Sequence, residues 1–184
     1  MVEYFFMFFL DKQNNKEKTL LTFDVSNSLM EESQCFTAVL RCVDFRVCES
    51  DHLFMSCFLN SLGEVSTFDT YSWPGSQKDV FDCVSFRNRF LELFEKVSIK
   101  HHGVKRLVVL MHWDCAGYGG LQDEETFKAE LARAKTFLED QFPRIEIVLA
   151  YSKAISDNTL RYVVLNYFME ERKNDFHASQ TGKS

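Results

Sequence analysis

LVVLMHWDCAGYGG, residues 107–120, decides how the rest of the chain is read. Leu107, Val108, Val109 and Leu110 are consecutive apolar residues, the pattern of a strand buried on both faces of a parallel sheet. Directly past its end come His112 and Cys115, two side chains able to ligate a metal, and then glycines at 117, 119 and 120. In an open α/β sheet the crevice beyond the carboxyl ends of the strands is where ligands bind. A second stretch of the same kind lies upstream, where Ala38, Val39 and Leu40 run into Cys42, Val43, Asp44, Phe45 and Arg46. Together the two strand ends supply two thiols, an imidazole, a carboxylate and a guanidinium.

Working outward, Phe36 to Cys42 reads as the first core strand, followed by a polar loop. Apolar residues at 53, 54, 57, 58 and 62 give a helical spacing from Asp51 to Leu62, stopped by Gly63. Val65 to Tyr71 is a weaker strand, ending in Ser72, Trp73, Pro74, Gly75 and Ser76. The spacing predicts one long helix from Lys78 to His102, the strand Lys105 to Met111, a helix from Gln122 to Gln141 that ends before Pro143, and a strand from Ile145 to Tyr151. After a turn signal at Ser156, Asp157 and Asn158, Leu160 to Tyr167 returns as an antiparallel edge strand. This alternation is that of an α/β fold, a mostly parallel central sheet with helices on both faces. With strand order 2-1-3-4 the first and third strands are neighbours, and the switch point between them brings Cys42 to His112 and Cys115.

The 184 residues suffice for a single domain with a full core, 1–184, in which 1–34 is a partly irregular N-terminal segment and 170–184 a polar tail. Nineteen Phe must fill that core or a surface between subunits, which makes an oligomer an expectation. A net charge of -6 without a basic cluster disfavours nucleic acid and anionic membranes as partners. The aromatic run Val2 to Leu10 carries Glu3 where a signal peptide has Lys or Arg and is too short to span a bilayer, so it is read as a retained packing segment. Six scattered cysteines lack the density of a disulfide scaffold and fit a reducing cytoplasm.

Two Cys and one His make a three-ligand site for zinc, with a fourth position open, where zinc lowers the pKa of a bound water to about 7. Asp44 either takes that fourth position or accepts a hydrogen bond beside it, and Arg46 holds Asp44 ionised and oriented.

Cys-x-Asp-x-Arg at 42 to 46 and His-x-x-Cys at 112 to 115 resemble the β class of carbonic anhydrases, and more closely its divergent, short bacterial branch, in which the second motif reads His-x-Asp-Cys before Gly, Ala and Tyr residues. The resemblance covers roughly residues 36 to 151. It implies that Cys42, His112 and Cys115 bind Zn2+, that Asp44 and Arg46 form the catalytic dyad, that CO2 and bicarbonate are interconverted, and that the sites lie near the interface of a dimer. The family's Arg-x-Ala-Gly segment falls here on Ser72, Trp73, Pro74 and Gly75, without the Arg. Two rival readings therefore accompany it: hydrolysis of a CO2-like molecule such as carbon disulfide or carbonyl sulfide, and a non-catalytic zinc-binding protein.

Plainer readings apply elsewhere. Cys35, Cys48, Cys57 and Cys83 are read as small apolar fillers, and His101 and His102 as caps of a helix C-terminus. Asp114 either bonds the glycine turn or faces water. Trp73 and Pro74 either shape a loop over the pocket or pack in the core.

Overall fold

The computed structural model describes residues 5–7, 22–24 and 35–165, apart from 66, 121, 122, 157 and 158. In the N-terminal unit, Met1–Ser33, Phe5–Met7 pairs antiparallel with Thr22–Asp24. The other expectations for residues 1–34, and the tail from 170, lie outside the described residues.

The second unit is built on a five-stranded sheet. Strands β1 (Thr37–Arg41), β2 (Phe68–Ser72), β3 (Arg106–Met111) and β4 (Glu146–Ser156) run parallel in the order β2-β1-β3-β4, and β5 (Thr159–Val164) is antiparallel to β4 at the edge. This is the 2-1-3-4 order with an antiparallel edge that the hydrophobic pattern predicts. All six residues of β3 are buried, because helices cover both faces of this central strand. On one face Val39, Val108, Leu110 and Val148 pack with Met55, Phe58 and Leu59 of α1 (Phe45–Ser61).

The other face carries α2 (Gln77–Asp82), α3 (Val84–Leu93) and α4 (Glu124–Gln141). There Leu40, Leu107, Val109 and Leu149 meet Val80, Phe90, Phe127, Leu131 and Leu138. Each fully buried Leu or Phe contributes roughly 1.5–3 kcal/mol. Part of the Phe excess is used here: the rings of Phe86, Phe90, Phe94 and Phe142 follow one another at 6.5, 5.7 and 5.0 Å, with Tyr71 edge-on to Phe90. Among the described residues no helix is long and apolar enough to cross a membrane.

Several local expectations are corrected. Helix α1 begins at Phe45 rather than Asp51, because the Asp44 carboxylate caps it by accepting the Arg46 backbone N–H at 2.9 Å. The long helix predicted from Lys78 to His102 is broken at Cys83, whose extended backbone (φ -116°, ψ 104°) starts α3 afresh, and it widens into a π-helical turn over Phe94–Ile99. That wide turn buries both Phe94 and Ser98, and the Ser98 hydroxyl donates to Asp69 at 2.5 Å. Apolar spacing conceals such a change of pitch, since the buried positions still recur every three or four residues. Strand β4 runs on to Ser156 because β5 pairs with its extension. His102 caps no helix: its Nδ1 lies 2.9 and 3.0 Å from the Asp69 carboxylate oxygens. Cys48 and Cys57 are exposed and Cys83 half-buried, so these three are not core fillers, whereas the half-buried Cys35 does pack against the core.

Candidate metal centre

Strands β1 and β3 lie side by side in register, Arg41 opposite Leu110, so both chains leave the sheet at one level. Cys42 is the first residue past β1, and His112 the first past β3. The backbone then turns at Asp114, in the left-handed region (φ 56°), and returns Cys115 beneath the sheet end. Three ligand atoms, the sulfurs of Cys42 and Cys115 and a ring nitrogen of His112, fall within 4.8 Å of one another, and all three residues are buried.

Two turns hold this geometry. After β2, Trp73 N–H donates to the Arg41 carbonyl at 3.1 Å, and Val43 N–H donates back to the Trp73 carbonyl at 3.2 Å, which carries the β1–β2 ladder beyond the strands. The next residues meet the loop of the second motif backbone to backbone. A Cβ at Gly117 would lie 2.4 Å from the Gly75 Cα, so only glycine fits at 117. The Lys78 ammonium ties the same loop down by donating to the Gly117 carbonyl at 2.9 Å, with its charge over the Tyr118 ring. Gly75, Ser76, Met111 and Tyr118 wall the ligand cluster.

The donor set fits zinc. His112 Nδ1 donates to the Trp113 carbonyl at 2.8 Å, which leaves Nε2 as the ring's lone-pair nitrogen, and that buried atom has no hydrogen-bond partner among the described residues. The two sulfurs are 3.7 Å apart. Two thiolates about 2.3 Å from one tetrahedral zinc would be separated by about 3.8 Å. In the protein alone, the Cys115 thiol donates to Cys42; this lowers the Cys42 pKa against the opposing effect of burial and pushes that of Cys115 up. Burial works against a charged His112, but the Cys42 sulfur, the Trp113 carbonyl and Asp44 outweigh it and raise the imidazole's pKa. A thiolate facing an imidazole in a dry pocket is a site ready for a cation.

Asp44 stands beside the cluster, its Oδ2 3.9 Å from His112 Nε2. Arg46 grips that carboxylate: Nε lies 3.1 Å from both oxygens, and Nη2 donates to Oδ2 at 2.6 Å. These bonds hold the Asp44 carboxyl down to about 2, against a small upward push from burial. The other edge of the guanidinium reaches the second motif, donating to Asp114 Oδ2 at 3.2 Å and to the Asp114 carbonyl at 3.1 Å. A cavity of about 340 Å³ opens over the dyad, lined by Val43, Phe45, Pro74, Ala116 and Gly117.

All five residues singled out in the sequence therefore meet at one place. Pro74 lines the mouth, and Trp73, 42% exposed, stacks on Phe86 at 4.3 Å, so this segment shapes the loop rather than the core. Lys78, Gly75 and the Arg46 contact of Asp114 carry no signal in spacing, because each joins segments distant in the chain. The buried Asp51 carboxylate was also missed. It accepts from Tyr162 at 2.8 Å, pairs with Arg41 at 3.5 Å, and is raised by burial above the usual carboxylate range.

Comparison with known proteins follows the same outline. The chain is 24% identical over 143 residues to an uncharacterized protein of Rickettsia conorii, covering 71% of this chain and 74% of that one. It is also 24% identical over 144 residues to an uncharacterized protein of Rickettsia bellii, covering 71% and 85%. Among solved structures, β-carbonic anhydrase isoform I of Trichomonas vaginalis superposes with a TM-score of 0.46 at 14% identity, over 77% of this chain and 89% of that one. A carbonic anhydrase from Glaciozyma antarctica does so with a TM-score of 0.39 at 17% identity, over 67% and 79%. A family model described as "Putative carbonic anhydrase" matches residues 32–164, the stretch that holds the whole sheet and both motifs, and the chain belongs to that family.

Proposed function

We propose that Cys42, His112 and Cys115 hold a zinc ion and that the protein catalyses the reversible hydration of CO2 to bicarbonate. The observation that carries this reading is the partnerless His112 Nε2, buried against two sulfurs and 3.9 Å from a carboxylate that an arginine keeps ionised. Zinc supplies the Lewis acidity that makes a water molecule nucleophilic at neutral pH.

The chain's own residues do the rest. His112 is fixed in one tautomer by its bond to the Trp113 carbonyl, so Nε2 faces the cluster. Asp44 Oδ2 would accept a hydrogen bond from water activated at the cluster and orient it toward the substrate, the proton released on forming bicarbonate passing to the buffer. Because Arg46 holds Asp44 at about 2, the carboxylate stays charged throughout the working range. Val43, Phe45, Pro74 and Ala116 line the mouth with apolar surface, which suits neutral, nonpolar CO2, and the Arg46 guanidinium suits the bicarbonate that leaves.

A homodimer or higher homo-oligomer is part of the proposal. Phe45 is 87% exposed and Val43 56% exposed at the rim of the mouth, an arrangement that a second copy of the chain would cover. Six free thiols support a reducing, cytoplasmic location.

The test is stopped-flow CO2 hydration by zinc-loaded protein at neutral and mildly alkaline pH, with zinc stoichiometry measured on the same sample. One zinc per chain with hydration above the buffer background is the expected result. One zinc per chain without hydration at either pH overturns the reading. Sulfide release from carbon disulfide or carbonyl sulfide would then identify the hydrolase that the apolar mouth also suits, and its absence a non-catalytic zinc protein.

A further inference from the structure

Asp114 occupies a place where its residue type is not the easiest choice. It lies between the two ligands of the second motif with φ 56°, a conformation that Gly adopts freely and that Asn and Asp take more readily than other residues. A turn alone would be served as well by Gly or Asn. What Gly lacks is the side chain, and here Oδ2 accepts from Arg46 Nη1 at 3.2 Å while the Asp114 carbonyl accepts from Nη2 at 3.1 Å. The Nε edge of the same guanidinium is occupied by Asp44. Arg46 is thus gripped on two edges by groups 68 residues apart in sequence.

The grip is not explained by stability. Arg46 and Asp114 are about half exposed, at 49% and 47%, and ion pairs at such exposure contribute little. Geometry is what it supplies. A long side chain held by one carboxylate keeps freedom to swing with its partner, whereas a planar fork fixed at both ends cannot. The Asp44 carboxylate already gives Oδ1 to the helix cap, so the plane of Arg46 sets where Oδ2 points.

We infer that Asp114 is a positioning residue, which locks the Arg46 guanidinium between the two motifs and thereby presents Asp44 Oδ2 to the Cys42–His112–Cys115 cluster. The inference about activity rests on the proposed function, but the lock itself does not.

Asp114→Gly and Asp114→Asn separate a lock from a turn, since both tolerate the left-handed backbone. The direct readout is hydrogen exchange of the Arg46 Nε–H in zinc-loaded protein by NMR, the signal being assigned by its loss in Arg46→Met. Asp114→Gly is expected to keep one zinc per chain and an equal or higher Tm, while Arg46 Nε–H exchange speeds up about tenfold or more and kcat for CO2 hydration falls about tenfold with KM little changed. Asp114→Asn, whose amide oxygen still accepts one bond, is expected to fall between. In an Arg46→Met background Asp114→Gly should cost no further activity. Unchanged Arg46 Nε–H protection in both variants overturns the inference and leaves Asp114 a turn residue. If the wild-type protein hydrates no CO2, the proposed function fails while the exchange measurement still decides the lock.

Discussion

The two ends of the central sheet bury charge in opposite ways. At the amino ends of the strands Arg106, 5% exposed, is saturated: Nε donates to Glu146 at 2.8 Å, and Nη1 donates to Glu64 at 2.8 and 3.0 Å and to Thr37 at 3.4 Å. At the carboxyl ends His112 Nε2 has no hydrogen-bond partner among the described residues, and the two sulfurs have chiefly each other. Arg106 and His112 are both buried, so burial alone does not distinguish them. What distinguishes them is whether the protein completes the coordination of its own polar atoms. A buried group that is fully paired holds the fold, and one left unpaired awaits something from outside.

The sharpest way to break this contrast is Cys115→Ser. Removing one thiolate should abolish zinc retention, a loss beyond the 10–100-fold that removing an outer partner of a metal ligand typically costs. Zinc content by elemental analysis checks it, and a variant with full metal would mean that the carboxyl end is as self-sufficient as the amino end. The mirror experiment is Arg106→Met, which leaves Glu64 and Glu146 facing each other across a vacated site. It should cost about 2–4 kcal/mol in urea unfolding, because breaking a buried ion network strands its remaining charges, yet leave zinc per chain unchanged. Loss of metal in that variant would show that the two ends are not independent.

The smallest effect is a pH dependence at the unsaturated end. Arg46 depresses the folded-state pKa of Asp44 to about 2, below the roughly 3.9 of an unfolded aspartate. The contribution to stability is therefore complete above about pH 4 and fades as pH falls toward 2. Wild-type protein should exceed Arg46→Met in stability at neutral pH, and that gap should shrink between about pH 4 and pH 2. A gap independent of pH would mean that Arg46 acts on the fold by packing alone.

Much of this was legible in the chain, for local reasons. Strand β3 announces itself because a strand buried on both faces needs no polar alternation, and the ligands follow directly from its end. Cys42, Asp44 and Arg46 could be read together because they lie two residues apart in one short segment. The start of α1 escaped because its first turns, with Arg46, Glu49 and Asp51, are polar, and the cap that starts them is Asp44, already assigned to the site. Asp114, Gly117 and Lys78 escaped for another reason. Their partners, Arg46 in the first turn of α1, Gly75 and the Gly117 carbonyl, belong to segments that only the sheet order brings together, and no periodicity encodes a contact between distant segments. The glycines of the second loop meet two different needs: Gly119 and Gly120 take positive φ, at 71° and 78°, whereas Gly117 is required by the close approach of another backbone.

The neighbouring placement of β1 and β3 also bears on the order of events during folding. Thr37 pairs with Arg106 across 69 residues, while β2, which the chain reaches first, is set aside on the outer edge. That loop must close, at an entropic cost that only the later strand contacts offset, before Cys42 ever meets His112 and Cys115. Formation of the cluster is thereby tied to closure of the sheet, and an ion that binds the finished cluster more tightly than the open chain draws the folding equilibrium toward the native state by mass action.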